Sequence, residues 1–526
     1  MSTEEKIIPH HEGTLVVEDD SVDVGSRTDV SRLKGGAIGL VGVLFMTVTG
    51  SAPISAMLFN TPISVGYGNG VGTPAGFLVA GVVLTIFGVA YVAMARKVTT
   101  AGGFYSFISH GLGRELGMAT GFLMVSAYSV FEVSLLGGFA YFAQIKAAQY
   151  GIHIGWVWFA LFAAALIGVL CYFDVELSAR ILGVALSCEV VTLIVFDIVA
   201  FGHGHVTAAA INPINAFKSL PGGHFHGSAI AAGAAGIGIF FAFWSWVGWE
   251  TAPNYGEESK DPKRNVPRAL YISVIGLGIF YTITSWAGIS GYTSINHAAS
   301  VAQNDAADFF FIPAQQFSGS FLKGALSWFI ITGSFACAMA FHNATARYMY
   351  ALGRERVLPA ALGKTHPTHK SPHVASTAQS AIAVAIVIAF ALFASVDKKL
   401  GAGDSVAYIQ VYGLMAVMGV VSILAIQALV SIAIFSYFRT HHKEEHHWWT
   451  TVTAPIIATV TQALVLYLAI KNLNFLGSGY SYTKWLVIGD ALIFFAGLGY
   501  AFYVKRNDRT KFDMAGRMIN RGLDQV

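Results

Sequence analysis

Windows of about 20 consecutive, mostly apolar residues, each long enough to cross a hydrocarbon core about 30 Å thick, recur between residues 36 and 504. Inside such a core water cannot satisfy backbone amides, so a crossing segment must bond internally as a helix or within a closed barrel. Runs this long and this continuous read as helices. Only 12% of the 526 residues are charged, against about 25% in an ordinary soluble domain, which is too few to cover a water-facing surface. The chain is therefore expected to be an all-α polytopic membrane protein held in a lipid bilayer.

Spans are expected near residues 36–59, 74–95, 117–147, 154–173, 179–201, 229–252, 269–291, 325–352, 376–395, 406–437, 452–470 and 484–504, which makes 12 transmembrane helices. Basic residues concentrate on one side of these spans. Arg27, Arg32 and Lys34 precede the first; Arg96, Lys97 and Arg114 follow the second; Lys260, Lys263, Arg264 and Arg268 follow the sixth. Arg354, Arg356, Lys364 and Lys370 follow the eighth, and Lys505, Arg506, Arg509 and Lys511 follow the last. Residues 60–73 carry no charge, and residues 203–228 carry only Lys218. By the positive-inside rule both termini are expected on the cytoplasmic side of the cell membrane. The first 20 residues lack the basic and apolar regions of a cleavable signal, so the first span is expected to act as its own insertion signal.

The net charge of +3 gives no support to a nucleic-acid partner. Cys171, Cys188 and Cys337 lie in apolar segments without a pairing or metal-binding pattern, and read as inert thiols. The histidines of 441–447 and His203, His205, His224 and His226 read as residues of solvated loops, with no ligand spacing for a metal. No cofactor is expected.

Two spans contain residues that interrupt a helix. The first reads MTVTGSAPIS, with Gly50, Ser51 and Pro53 near its middle; the sixth reads WVGWETAP, with Gly248 and Pro253. A break at membrane depth is tolerated only where it lines a cavity or packs against protein. Proline suits the first position of a restarted helix, and Ser51 or Thr251 would cap it. Free amides at such a restart bind an anion, and the carbonyls left at the preceding end suit a cation, so one break fits a zwitterion. Five spans separate equivalent breaks, the spacing of an inverted repeat whose binding site lies at the midplane.

Carboxylates at membrane depth cost about 2.5–3.5 kcal/mol on insertion scales and usually face the protein interior. Glu132, Glu189 and Glu250 are such residues, and each is a candidate proton carrier beside its alternative as a hydrogen-bonded structural carboxyl. Trp244, Trp246 and Trp249 surround the second break and cannot all share one face of a continuous helix. One or two of them are expected to line the pocket, where an aromatic face favours an organic cation, while Trp246 is expected to pack.

GEESKDPKRNVPRA (256–269), AGGFYSFISHGLGRELGMATGF (101–122) and NATARYMYALGRERVLP (343–359) together resemble landmarks of the amino acid, polyamine and organocation permeases. The resemblance runs from about Gly35 to Val504. It implies a leucine-transporter-type fold: a first five-helix repeat at 35–202, an extracellular loop at 203–228, an inverted second repeat at 229–438, and two further helices at 439–505. A disordered cytoplasmic tail at 1–34 and a second tail at 506–526 would flank them. It further implies secondary active transport of an amino acid by alternating access. Thr49, Gly50, Ser51 and Ala52 would meet the substrate carboxylate, and the Val247 and Gly248 carbonyls would receive the amine.

Trp244 resembles the family's gate tryptophan, Tyr128 a substrate-facing tyrosine, and Phe341 a second gate aromatic; Trp249 and Glu250 complete the expected site. The first-span pattern departs from the usual Gly-Ser-Gly, since Ala52-Pro53 replaces the second glycine and removes an amide donor. Glu189 stands where some proton-coupled members carry a lysine. Relatives that use sodium place adjacent hydroxyls on the eighth span, whereas Thr332 and Ser334 are separated by Gly333. The expected coupling ion is therefore the proton, with Glu189 its leading carrier and Glu250 linking binding to gating. A polyamine or other small-amine transporter or exchanger, with sodium coupling, is the alternative. A membrane enzyme would need a metalloprotease helix, nucleophile elbow or phosphate loop, and a channel a repeated pore loop or charged rings; the sequence has neither set.

Overall fold

The computed structural model describes residues 33–173, 175–220, 234–395 and 405–516. Its helices in chain order are α1 (Leu40–Gly50), α2 (53–67), α3 (Thr73–Ala95), α4 (Gly103–Leu112), α5 (Arg114–Ala148), α6 (Trp156–Tyr172), α7 (Val175–His203) and α8 (Ala235–Trp244). Then follow α9 (Pro262–Ser290), α10 (Ile295–Asn304), α11 (Phe311–Arg354), α12 (His373–Phe393), α13 (Val406–Thr440), α14 (Trp448–Lys471), α15 (Thr483–Asn507) and α16 (Arg509–Met514). The expected N-terminal tail lies outside the described residues except for its last two.

Counting α1 with α2 as one crossing, ten described helices are long and apolar enough to cross a membrane. Two of the twelve expected windows fall elsewhere. The fourth is α6, an apolar helix of 17 residues, and the sixth is divided between α8 and the tight turns of Trp249–Tyr255. The eighth window was expected at 325–352, but α11 runs for 44 residues because a short helix is fused to its start at Gly319, whose φ of 67° is non-helical. The first window was expected to end near residue 59, whereas the helix continues to Tyr67 because Pro62 falls in the first turn of its last segment, where no amide is required.

Burial separates the centre from the rim. In the most apolar window of α5, 83% of residues are buried, against 17% in α15. α5 packs along α11, α3 along α9, and α1 is enclosed by α7, α9, α11 and the Trp249–Tyr255 turns. Leu492, Phe495 and Trp485 on α15 are exposed, as a lipid-facing helix requires. Acidic Glu115 in the first turn of α5 and basic Lys146 in its last both suit the helix dipole.

The expected basic connections meet on one face. Lys97 pairs with Glu445 at 2.6 Å, Arg114 with Asp513 at 2.6 Å, and Lys505 with Glu115 at 2.5 Å. The short α16 docks here, with Phe512 under the cations of Arg114, Lys505 and Arg509. Just beyond it, the Gly516 amide donates to Glu355 Oε2 at 2.9 Å, and the Tyr105 hydroxyl donates to the same oxygen.

Glu355 lies just past the end of α11, and burial pushes its carboxyl up to about 7. The folded protein thus holds a proton that the unfolded chain releases between pH 4.5 and 7, so this group's contribution to stability falls as pH rises through that window. Glu355→Gln removes the cost of the buried charge while retaining an acceptor oxygen. Its thermal unfolding midpoint in detergent is expected to exceed the parent's by a few degrees at pH 8 and to match it near pH 4.5.

Candidate functional site

The first break lies where Ser51 and Ala52 leave the helix. Their amides reach back only three residues, to Val48 and Thr49, and Ala52 turns left-handed at φ 43°. Pro53 then occupies the first position of the restart, as expected. The second break differs from expectation. α8 ends at Trp244, Gly248 takes φ 112°, and Pro253 sits inside the tight turns that follow rather than at their start. The expected caps are also absent: Ser51 Oγ donates to the Trp246 carbonyl across the breaks, and Thr251 Oγ1 donates to the Gly248 carbonyl at 2.7 Å.

Gly50 and Gly248 meet backbone to backbone. A Cβ on Gly248 would lie 2.3 Å from the Gly50 carbonyl carbon and 2.4 Å from its oxygen. No other side chain fits this approach, and only glycine takes Gly248's φ without strain. Neighbouring helices hold the exposed carbonyls: Tyr281 donates to Ser51 at 2.9 Å, and the Cys337 thiol to Gly50 at 3.3 Å. The Gly248 carbonyl also accepts the Thr251 amide, so the chain itself meets the acceptor assigned to the amine.

Beside this contact is a small cavity, with about 30 Å³ of room for water centres, enough for one or two waters. Of the expected site residues, Gly50, Ser51, Ala52, Trp244, Val247 and Phe341 line it. Thr49, Tyr128, Gly248, Trp249 and Glu250 are buried but do not. Trp249 instead packs edge-on against Phe87 and Tyr91, and Trp246 packs against Tyr281. Glu250 folds back over the break. Its Oε2 accepts the Gly248 amide at 2.9 Å, its Oε1 accepts the Tyr128 hydroxyl at 2.8 Å, and its carbonyl accepts the Tyr91 hydroxyl at 3.0 Å. The carboxylate thereby ties the break to α5, and the residue's backbone carbonyl ties it to α3.

The other two acids occupy different surroundings. Glu189 on α7 lies against Gly333 of α11, where a Cβ would come 2.8 Å from the carboxylate, and within reach of the Ile54 amide in the restarted first turn of α2. Gly333 thus makes room for an acid. Of the three acids, only Glu189 keeps an oxygen without a hydrogen-bond partner. Glu132 is fully engaged. His342 Nδ1 lies 3.0 Å from its Oε1, Gln379 Nε2 donates to its Oε2 at 2.7 Å, and Ser129 donates to Gln379 at 2.7 Å. His342, Gln379 and Ser376 were not foreseen, because their meeting depends on α5, α11 and α12 packing together.

The cavity sits between two unlike faces. Toward the N-terminal segment, the three family-like stretches close over it: Arg347 pairs with Glu258 at 2.7 and 2.9 Å, Arg354 with Glu257 at 2.6 Å, and Tyr348 accepts the Phe104 amide at 3.0 Å. Ile38 adds backbone bonds to Glu258 and Lys260. Toward the opposite face is a larger vestibule of about 170 Å³, bounded among others by Phe59, Tyr141, Tyr408 and Asp305. Asn60, Trp244 and Tyr412 line both spaces, with Trp244 stacked on Tyr412 at 5.9 Å.

A bundle of apolar helices with two interrupted crossings meeting beside a small cavity, with buried ion pairs toward one face and a larger hollow toward the other, has the construction of a membrane permease. The chain belongs to the amino acid permease family, whose model matches residues 38–496. The branched-chain amino acid permease BcaP of Bacillus subtilis strain 168 is 23% identical over 66% of this chain and 70% of its own. The uncharacterized amino acid permease YecA of the same organism is 28% identical over 62% of this chain and 72% of its own, and its methylthioribose transporter 23% identical over 56% and 62%.

The two breaks respond oppositely to substitution. Gly248→Ala must push a methyl into the Gly50 backbone and is expected to eliminate monodisperse protein in size-exclusion chromatography. Ala52→Gly relieves a left-handed residue, a conformation costing about 1–2 kcal/mol outside glycine, against the smaller entropy gain of glycine in the unfolded chain. Its unfolding midpoint is expected to equal or exceed the parent's.

Proposed function

We propose that this protein is a secondary active transporter that carries an amino acid across the cell membrane by alternating access, coupled to protons. The observation that carries the reading is the Gly50–Gly248 contact beside a cavity that is closed on one face and separated from a vestibule on the other by a few side chains. In its present form the cavity admits only water, so a solute must part Trp244 and Tyr412 to enter. Opening one face while the ion pairs Arg347–Glu258 and Arg354–Glu257 hold the other is what alternating access requires.

The proposal includes twelve crossings, arranged as two inverted repeats of five helices plus two, with both termini cytoplasmic. The shorter α6, the divided sixth element and the common face of the basic connections support it. For the substrate, Phe131, Leu135, Val247 and Phe341 give the cavity an apolar lining suited to an aliphatic side chain, and the BcaP relative is named for branched-chain amino acids. For the coupling ion, Glu189 is the one of Glu132, Glu189 and Glu250 with least hydrogen-bond compensation, so among these three gaining or losing a proton there changes the local energetics most. Its place beside Ile54 connects that change to the first break.

L-Leucine is expected to accumulate in proteoliposomes when a proton gradient is imposed, and to remain unaccumulated with a sodium gradient alone. Glu189→Gln is expected to retain leucine exchange but lose gradient-driven accumulation. Full pH-dependent accumulation by this variant would overturn the Glu189 assignment, and conversion of leucine without its net movement would overturn transport itself.

A further inference from the structure

The wall between the vestibule and the inner cavity contains a polar group that the protein leaves unused. Asn60 lines both spaces and is 2% exposed. Its Nδ2 lies 2.9 Å from Ser245 Oγ. Ser245 has one hydroxyl hydrogen and donates it to the Phe241 carbonyl at 2.8 Å, so it can only accept from Asn60. This fixes the amide orientation: the NH₂ faces Ser245, and Oδ1 is left without a donor. A buried carbonyl oxygen in that condition is costly unless a ligand meets it.

The space above it has the complementary chemistry. Tyr408 and Tyr412 stack in parallel at 5.8 Å, and Phe59 lies 4.2 Å from Tyr412. These rings form a π-rich wall, with the Asp305 carboxylate also at the vestibule. Aromatic faces and a carboxylate attract a cation, and an orphan acceptor asks for an N–H donor. The three features select the same chemical group and repel a carboxylate.

We infer that the vestibule is a binding site for the protonated primary amine of the solute, and that Asn60 Oδ1 accepts its N–H on the way to the inner cavity. The role as an entry station rests on the transport reading; the amine site itself does not. Trp244 and Tyr412 then form the aromatic partition past which the solute moves, and Asn60 makes the amine a condition of passage.

The test measures binding to purified full-length protein by isothermal titration, using three probes that share an isobutyl group: 3-methylbutylamine, L-leucine and 4-methylpentanoate. The parent is expected to bind the two ammonium compounds and not the acid. Asn60→Leu, of similar volume but without an acceptor, is expected to weaken 3-methylbutylamine about tenfold or more, whereas Asn60→Asp, which keeps acceptor oxygens, binds at least as tightly as the parent. That second variant separates loss of the acceptor from loss of the fold. The inference is overturned if the parent fails to bind 3-methylbutylamine, if 4-methylpentanoate binds as well, or if Asn60→Leu is indistinguishable from the parent. Asn60-dependent amine binding without leucine uptake in proteoliposomes would support this site and overturn the transport reading, so the two failures are distinct.

Discussion

The close approach of Gly50 and Gly248 sets the geometry around it. The two interrupted crossings lie backbone against backbone because Gly248 carries no side chain and cannot accept even a methyl group there, while a Cβ on Gly50 would come 3.3 Å from the Gly248 oxygen. Each interruption exposes peptide groups that lipid could not satisfy, so the surrounding helices must supply partners. Tyr281 of α9, Cys337 of α11 and Tyr91 of α3 donate to backbone carbonyls, and the Gly248 amide is met by the Glu250 carboxylate, itself held by Tyr128 of α5. The result is a joint held by hydroxyls and a thiol from four helices. Such bonds can be exchanged individually without unfolding a helix.

Around this joint the two faces are built from different interactions. The face beside the N-terminal segment is closed by charge. Arg347 and Glu258 are almost wholly buried, and Tyr255 stacks on the guanidinium at 4.5 Å. Removing one member of such a pair strands the other charge, at about 3–5 kcal/mol. The opposite face is closed by aromatic contacts among Phe59, Trp244 and Tyr412, which are weaker individually, about 0.5–1.5 kcal/mol each.

The three intramembrane acids show how far residue type falls short of role. In the sequence all three are carboxylates in apolar runs, distinguished only by Glu250's place on a break and by the position Glu189 shares with a lysine of some proton-coupled members. Glu250 ties its own broken backbone to α5, Glu132 joins a carboxylate–imidazole–amide network, and Glu189 retains an unpartnered oxygen at the start of α2. Gly333 gives a similar lesson. In the sequence it separated two hydroxyl residues and bore on sodium; in the structure it is the space that Glu189 occupies.

The sequence by itself determined the helical membrane class, because long apolar runs admit no other way to satisfy the backbone in lipid. It also determined the positions of both breaks, since glycine and proline act on local dihedral angles, and it placed the landmark stretches whose Glu257, Glu258, Arg347 and Arg354 pair across the closed face. Only the tertiary structure decided which side chains reach the cavity. Tyr128 and Trp249 were expected there and face elsewhere, while Asn60, Ser245 and Tyr412 arrive from segments whose periodicity gives no sign of it. The reason is physical: a helix fixes the direction of a side chain relative to its own axis, but what that side chain meets depends on the rotation and partner of every helix packed around it.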